Sequence, residues 1–122
     1  MIEIYKKIAE REISKPWGIE LILEQNEFYV VKILYVRSGD RLSLQYHEKK
    51  METLFHVGGS GYVLIGTDRK RFDLFQGEKV HIEPNVIHRI GANETDDLLV
   101  LEVSTNHLDD VVRLEDDYKR GD

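Results

Sequence analysis

Two residues that can bind a metal ion, Gln45 and His47, are separated by a single position. On a strand, side chains alternate between the two faces, so these two would point to one side and Leu42 and Leu44 to the other. A polar pair on the inner face of a small fold is costly unless something satisfies it. Glu52 follows after a short charged corner and can reach the same interior. These three side chains therefore form a candidate site.

A fourth candidate is His88, which lies just beyond the proline-containing turn Glu83-Pro84-Asn85. An amide oxygen, two imidazoles and a carboxylate suit Zn, Mn, Fe, Co or Ni. Four protein ligands leave room for water or substrate if the metal is five- or six-coordinate. The spacing alone leaves open the alternative that these are unrelated polar residues on the surface.

The chain contains no cysteine, which excludes a disulfide framework, a thiolate zinc site and a cysteine nucleophile. Its 17 basic and 23 acidic residues give a formal net charge of −6. That sign opposes bulk attraction to nucleic acid or to an anionic membrane, so neither is an expected partner. A few arginines still suffice for a local phosphate pocket.

The length of 122 residues fits a single domain. No apolar run approaches the roughly 20 residues that a membrane helix needs. The N-terminus has no apolar core of the kind found in signal peptides. We therefore expect a cytoplasmic location.

Short segments rich in β-branched and aromatic residues recur along the chain, separated by turn residues, and predict an all-β fold. The candidate strands are residues 30–36, 42–47, 53–57, 62–65, 71–75, 79–82, 87–90 and 98–103. The glycine-rich run 58–61 predicts a hairpin between two of them. Many short strands in one small domain indicate a barrel or sandwich. Residues 1–14 are expected to form a short helix or an arm, and residues 15–120 the barrel domain.

The spacing Gly39-x5-Gln45-x-His47-x4-Glu52-x5-Gly58, followed by Gly77 to His88, resembles the two motifs of the cupin superfamily. The first motif usually has histidine at the position of Gln45. A Gln-x-His pair with a glutamate and a distant histidine is the ligand set of phosphomannose isomerases. The replacement of histidine by glutamine therefore favours isomerase chemistry over oxygen activation.

The match widens to about residues 15–120, which are similar to the isomerase domain at the C-terminus of bifunctional mannose-6-phosphate isomerase/mannose-1-phosphate guanylyltransferases. The matching segments are Pro16-Trp17-Gly18, Val31-Lys32, Arg41-Leu42-Ser43-Leu44-Gln45, Ile87-His88-Arg89, Leu101-Glu102-Val103 and Asp109-Asp110-Val111-Val112-Arg113 through Asp117-Tyr118. The guanylyltransferase part of those proteins has no counterpart in this sequence, so nucleotidyl transfer is not expected. The chain also has Lys50 where the bifunctional enzymes have arginine.

The resemblance implies an all-β cupin fold, a double-stranded β-helix or jelly-roll barrel with short terminal helical or arm segments. It implies one divalent metal ion, zinc first and Mn, Fe, Co or Ni as alternatives, held by Gln45, His47, Glu52 and His88. It also implies the interconversion of mannose 6-phosphate and fructose 6-phosphate through an enediolate, with a sugar phosphate as the small-molecule partner.

Several charged residues acquire expected roles from the resemblance. Lys50 and Arg89 are predicted to handle anionic charge near the metal, and with Glu52 they form the predicted catalytic set. Arg41 and Arg113 are predicted to hold the phosphate, because a planar guanidinium suits bidentate recognition. The alternative for each arginine is a solvated surface charge.

The residue that takes the carbon-bound proton is not identified by the sequence, and the candidates in falling order are Glu52, His56 and Glu102. Two other functions remain open. One is another cupin sugar isomerase or epimerase, and the other is a non-catalytic module that binds a sugar or a metal. Because cupins commonly pair edge strands, a homodimer formed through residues 2–13 is also expected.

Overall fold

The computed structural model describes residues 2–120, which form one short helix and two antiparallel sheets. The elements are α1 (Glu3–Ile8), β1 (Arg11–Lys15), β2 (Gly18–Gln25), β3 (Tyr29–Val36), β4 (Leu44–Tyr46), β5 (Glu52–Gly59), β6 (Gly61–Ile65), β7 (Lys70–Leu74), β8 (Lys79–Ile82), β9 (His88–Ala92), β10 (Leu98–Thr105) and β11 (Val112–Glu115). The first sheet has the strand order β1-β2-β3-β10-β5-β8, and the second β11-β4-β9-β6-β7.

The main core lies between the two sheets and is made by inward-facing residues of alternating strands. Leu34 and Leu54 come from the first sheet and Val63 and Ile90 from the second, and all four are buried. Strand β10 lies between β3 and β5, and residues on both of its faces are buried, as its continuous apolar sequence predicts.

A second apolar cluster covers the outer face of the first sheet, where Tyr5 and Ala9 at the N-terminus pack near Leu21, Ile33 and Leu99. The segment predicted as an arm or helix thus contains α1 and most of β1, and the sheet begins inside it. Within residues 2–120, no helix is long and apolar enough to cross a membrane. The homodimer expected from this N-terminal segment stays a prediction.

The predicted hairpin at the glycine-rich run is wrong, because β5 and β6 belong to different sheets and do not pair. The chain crosses from one sheet to the other at Ser60, which lies between the two strands. Gly59 has φ +70°, and a Cβ there would lie 1.7 Å from the carbonyl oxygen of Asp97. The glycines therefore allow a close crossing between layers instead of a two-strand turn.

Gly59→Ala is expected to lower the free energy of unfolding by about 3 kcal/mol, because backbone strain and steric overlap add together. The matched control is Gly77→Ala, since Gly77 has φ +83° but no atom within 4 Å of the position of a Cβ. It should cost about 1 kcal/mol, from backbone strain alone. Urea unfolding of both variants measures the difference, and equal costs would contradict the crossing geometry.

Candidate metal centre

Three of the four predicted ligands converge at one buried point between the sheets. His47 directly follows β4, while Glu52 and His88 begin β5 and β9. One ligand atom from each lies within 4.8 Å of the others, and all three residues are buried. Glu52 Oε1 is 2.9 Å from His88 Nε2 and 3.5 Å from His47 Nε2. The ends of three strands thus bring together residues that are distant in sequence.

Gln45, the fourth predicted ligand, lies directly opposite His88 in the antiparallel pair β4–β9. Residues opposite one another in such a pair have Cβ atoms about 5 Å apart, so the two side chains are neighbours. The Gln45 Oε1 atom accepts a hydrogen bond of 2.7 Å from the Ser43 hydroxyl. Its position fits the predicted ligand set, and its coordination of a metal stays a prediction.

The Nε2 atoms of both histidines face the cluster, and their Nδ1 atoms make hydrogen bonds that hold the rings in place. His47 Nδ1 bonds the backbone carbonyl of Asp110, and His88 Nδ1 bonds that of Val86 at 2.9 Å. Because a carbonyl oxygen only accepts, each Nδ1 must carry the proton. In the neutral imidazoles the lone pair therefore lies on Nε2, the atom that points toward Glu52. This second contact is the usual way in which proteins orient a metal-ligating histidine.

Within residues 2–120, the three converging donor atoms have no hydrogen-bond partner that would compensate for their burial. Among the described residues, none of His47 Nε2, Glu52 Oε1 and His88 Nε2 has a hydrogen-bond partner, and all three atoms are buried. Burial by itself would raise the pKa of Glu52, but the charge of Lys50 outweighs it and holds that pKa well below its ordinary value. An ionised carboxylate and two imidazoles fit a divalent metal ion, because that ion would satisfy all three atoms at once.

A row of buried charges extends from this centre across the inner face of the first sheet. Lys50 Nζ lies 3.4 Å from Glu52 Oε2 and 2.9 Å from Glu102 Oε2. Lys32 Nζ follows, 3.6 Å from Glu102 and 2.6 Å from Glu20. Burial would lower the pKa of Lys50, but Glu102 and Glu52 outweigh it and raise the pKa. Lys50 is therefore a fixed cation beside the candidate ligand Glu52.

A cavity of about 210 Å³ opens beside the centre, and Gln45 and His47 form part of its wall. Its charged lining residues are Arg11, Lys15, Glu20, Lys32, Lys50, Glu102, Asp109, Arg113 and Arg120. Cations outnumber carboxylates in that lining, although the whole chain is acidic. Such a cavity suits an anionic ligand.

Arg113 is the one predicted phosphate-binding arginine that lines this cavity; it lies in β11, opposite Gln45. Arg41 and Arg89 do not line it. Arg89 points away from the adjacent His88 and donates to the Leu42 carbonyl at 2.7 Å. Both arginines instead lie against Asp117, with which Arg41 makes a pair of hydrogen bonds. These contacts explain the positions of Arg41 and Arg89 without a substrate. The predicted roles, phosphate binding by Arg41 and charge stabilisation near the metal by Arg89, therefore gain no support.

Of the three proton-acceptor candidates, Glu102 lines the cavity, whereas Glu52 lies in the ligand cluster. His56 is partly buried and its Nε2 bonds the carbonyl of Gly59 at 2.7 Å. Lys32 and Glu20 are site residues whose role the sequence analysis did not assign. The sequence does contain a pattern that points to such residues. Lys32 is a charged residue at an inward position of an otherwise apolar strand, Val30-Val31-Lys32-Ile33-Leu34.

The sequence is similar to a family of known proteins over most of its length. Residues 5–116 match the family described as mannose-6-phosphate isomerase C-terminal. Mannose-1-phosphate guanylyltransferase ManC of Salmonella typhimurium is 34% identical over 113 residues, covering 90% of this chain and 23% of that protein. Alginate biosynthesis protein AlgA of Pseudomonas aeruginosa is 32% identical over 112 residues, covering 89% and 23%. The chain spans about a quarter of the length of these curated relatives.

Solved structures share the fold at low sequence identity. A cupin-like protein from Thermotoga maritima has a TM-score of 0.71 and 23% identity, covering 80% of this chain and 76% of that one. The polyketide cyclase RemF from Streptomyces resistomycificus has a TM-score of 0.74 and 15% identity, covering 85% and 75%. These likenesses confirm the cupin jelly-roll fold that the sequence predicts.

Proposed function

This chain belongs to the mannose-6-phosphate isomerase C-terminal family, and on that premise we propose that it is a metal-dependent sugar-phosphate isomerase. The proposed reaction interconverts mannose 6-phosphate and fructose 6-phosphate. One observation carries the proposal: the donor atoms of His47, Glu52 and His88 converge without hydrogen-bond partners among the described residues, beside a cavity rich in cations.

A divalent cation, zinc in the first instance, would be held by His47, Glu52 and His88, with Gln45 as fourth ligand. When bound, it would supply positive charge that stabilises the oxyanion developing on O1 or O2 of the sugar. Lys50 adds a second fixed charge in the same region, since Glu52 and Glu102 hold its ammonium group in place.

The isomerisation moves one proton between two neighbouring carbons. From open-chain mannose 6-phosphate, a base takes the proton from C2, its electron pair forms the C1–C2 double bond, and the π electrons of the C1 carbonyl move to O1, which gives an enediolate. A proton then passes from O2 to O1, the C2 carbonyl forms as the double bond opens, and the protonated base returns its proton to C1. Among the candidates Glu52, His56 and Glu102, we assign the base to Glu102, because it alone of the three lines the cavity. A base must come within about 3 Å of the proton it removes or act through one water.

The phosphate would bind at the cationic part of the wall, where Arg113 lies. A guanidinium group binds two phosphate oxygens at once and so fixes the far end of the sugar. Trp17, Leu34 and Leu42 form apolar parts of the same wall and belong to the core. They would exclude water from the reacting carbons.

Chelation is expected to lower turnover of mannose 6-phosphate at least about 100-fold, since the main stabiliser of the oxyanion would be lost. The measurement is elemental metal content of the purified protein, followed by a coupled assay for fructose 6-phosphate before chelation, after chelation and after adding back Zn²⁺, Mn²⁺ or Co²⁺. Activity that returns with one of these ions identifies the working metal.

The same measurements separate the other functions. Stoichiometric metal without turnover of mannose 6-phosphate would contradict the proposal and favour a module that only binds a sugar or a metal. Turnover of a different aldose phosphate, found with a substrate panel, would keep the isomerase chemistry and change the substrate. Turnover that survives complete removal of metal would contradict the metal mechanism.

A further inference from the structure

Asp110 contacts the metal centre with two different chemical groups. It lies between β10 and β11, in a segment of residues 106–111 that we call the strap. Its backbone carbonyl accepts the hydrogen bond from His47 Nδ1. Its carboxylate accepts three backbone N–H groups of the corner after β4, from Glu48 at 3.1 Å, Lys49 at 2.7 Å and Lys50 at 2.9 Å.

These four bonds fix the segment from His47 to Lys50, and both end residues have a role in the proposed chemistry. One end is the ring of His47, whose Nε2 faces the ligand cluster. The other is the peptide of Lys50, whose ammonium group lies beside Glu52 and Glu102. A carboxylate that receives three N–H groups holds a corner more tightly than a single cap does. One residue of the strap thus sets the position of both side chains.

The strap also forms part of the cavity wall, through Leu108, Asp109 and Val111. Strand β11 follows directly and pairs with β4, placing Arg113 opposite Gln45. Asp110 therefore joins this wall to the histidine of the cluster by one hydrogen bond and to the corner after β4 by three. An ordinary loop cap would account for the carboxylate bonds, but it would not account for the bond to a metal-ligand candidate.

We propose that Asp110 is a positioning residue that couples the strap to the metal centre, so that cation binding and ordering of the strap favour each other. The inference rests on the metal site of the proposed function and not on the identity of the sugar. Coupling of this kind is reciprocal: if the strap strengthens cation binding, the cation must strengthen the strap by the same free energy.

The first test is titration of the metal-free protein with Co²⁺ alone, followed by visible absorption, for the full chain and for Asp110→Ala. The alanine variant keeps the backbone carbonyl that bonds His47 but loses the carboxylate that fixes this carbonyl against the corner of residues 48–50. Mutation of the groups behind a metal ligand costs about 10- to 100-fold in metal affinity, and we expect a loss in that range. Asp110→Asn keeps one acceptor oxygen without the charge and should fall between the two. If the alanine variant does not fold, the asparagine variant carries the test.

The matched control is Asp97→Ala, at the other end of β10. Asp97 also accepts a backbone N–H, from Ser38 at 2.8 Å, and bonds the hydroxyl of Tyr35. Its loss should lower the melting temperature of the metal-free protein as the loss of Asp110 does, but leave the affinity for Co²⁺ unchanged. A purely structural role of Asp110 would make the two variants behave alike.

The second test is hydrogen exchange of the backbone amides, with and without Zn²⁺. In the unaltered chain, Zn²⁺ should slow exchange at Glu48–Lys50 and in the strap, and Asp110→Ala should remove that protection. Stoichiometric cation binding with equal affinity in Asp110→Ala would overturn this inference and leave the metal site standing. No cation binding by the unaltered chain would instead overturn the metal site, and this inference with it.

Discussion

His88→Ala is expected to abolish stoichiometric metal binding and to lower turnover of mannose 6-phosphate by about 1,000-fold or more. The side chain supplies one of three converging ligand atoms, and its Nε2 lies 2.9 Å from Glu52 Oε1. Loss of even an outer contact to a ligand costs about 10- to 100-fold in metal affinity, so loss of the ligand itself should cost more. Removing a stabiliser of developing negative charge adds about 100- to 1,000-fold in turnover.

The matched control is His81→Ala, because His81 is exposed on β8 and bonds the hydroxyl of Thr53 outside the cluster. It should retain both metal and turnover. His88 is buried, so its removal also leaves a cavity in the fold. His88→Leu fills most of that space without a ligand atom and separates the two effects: its stability should be close to that of the unaltered chain and its metal content low. Full turnover in either His88 variant contradicts the proposed mechanism.

Much of this site follows from alternation along strands. Gln45 and His47 share a face because they are two residues apart, and this was predictable without any fold. Alternation also explains why Arg89, which follows His88, gains no support for its predicted role of handling anionic charge near the metal. Adjacent residues of a strand point to opposite faces, so one of the two must leave the cavity.

Other features depend on contacts that no local pattern contains. The glycine run at 58–61 predicts a tight turn, but glycine also permits a close crossing between layers, and only tertiary packing decides between them. The bonds of Asp110 to the corner after β4 join residues about sixty positions apart. The row from Glu20 to Lys50 likewise needs the order of strands in the first sheet. The sequence thus predicts which side chains share one face of a strand, but it does not predict which strands lie beside one another in the sheets.

Lys50→Met is expected to lower the free energy of unfolding of the metal-free protein by about 3–5 kcal/mol, the usual cost of removing one partner of a buried ion pair. Lys50 is buried between Glu52 and Glu102, and both carboxylates are buried as well. Without the ammonium group, each carboxylate loses its nearest cation. Turnover should also fall, because the charge of Lys50 is proposed to stabilise the oxyanion. Lys49→Met, at the exposed neighbouring position, should change neither.

The pH dependence of this loss has a definite sign. Although burial opposes it, the charge of Lys50 holds the pKa of Glu52 well below its ordinary value. The pairing therefore stabilises the fold above about pH 4, and that stability is lost as the pH falls through the folded-state pKa. The pKa of Lys50 is raised, so the pairing is also complete below about pH 10. The difference between Lys50→Met and the unaltered chain should be largest near neutral pH and shrink in acid.

A second substitution distinguishes charge balance from packing. If the loss in Lys50→Met comes from uncompensated carboxylates, adding Glu102→Gln should restore part of the stability, because one buried charge is removed. Turnover should not return, since the double variant lacks both the cation and the proposed base. Lys50→Arg keeps the charge and should retain most of the stability. Chemical denaturation of four metal-free proteins, namely the unaltered chain, Lys50→Met, Glu102→Gln and the double variant, measures the coupling. Additive losses in the double variant would show that the row of charges does not act as a unit.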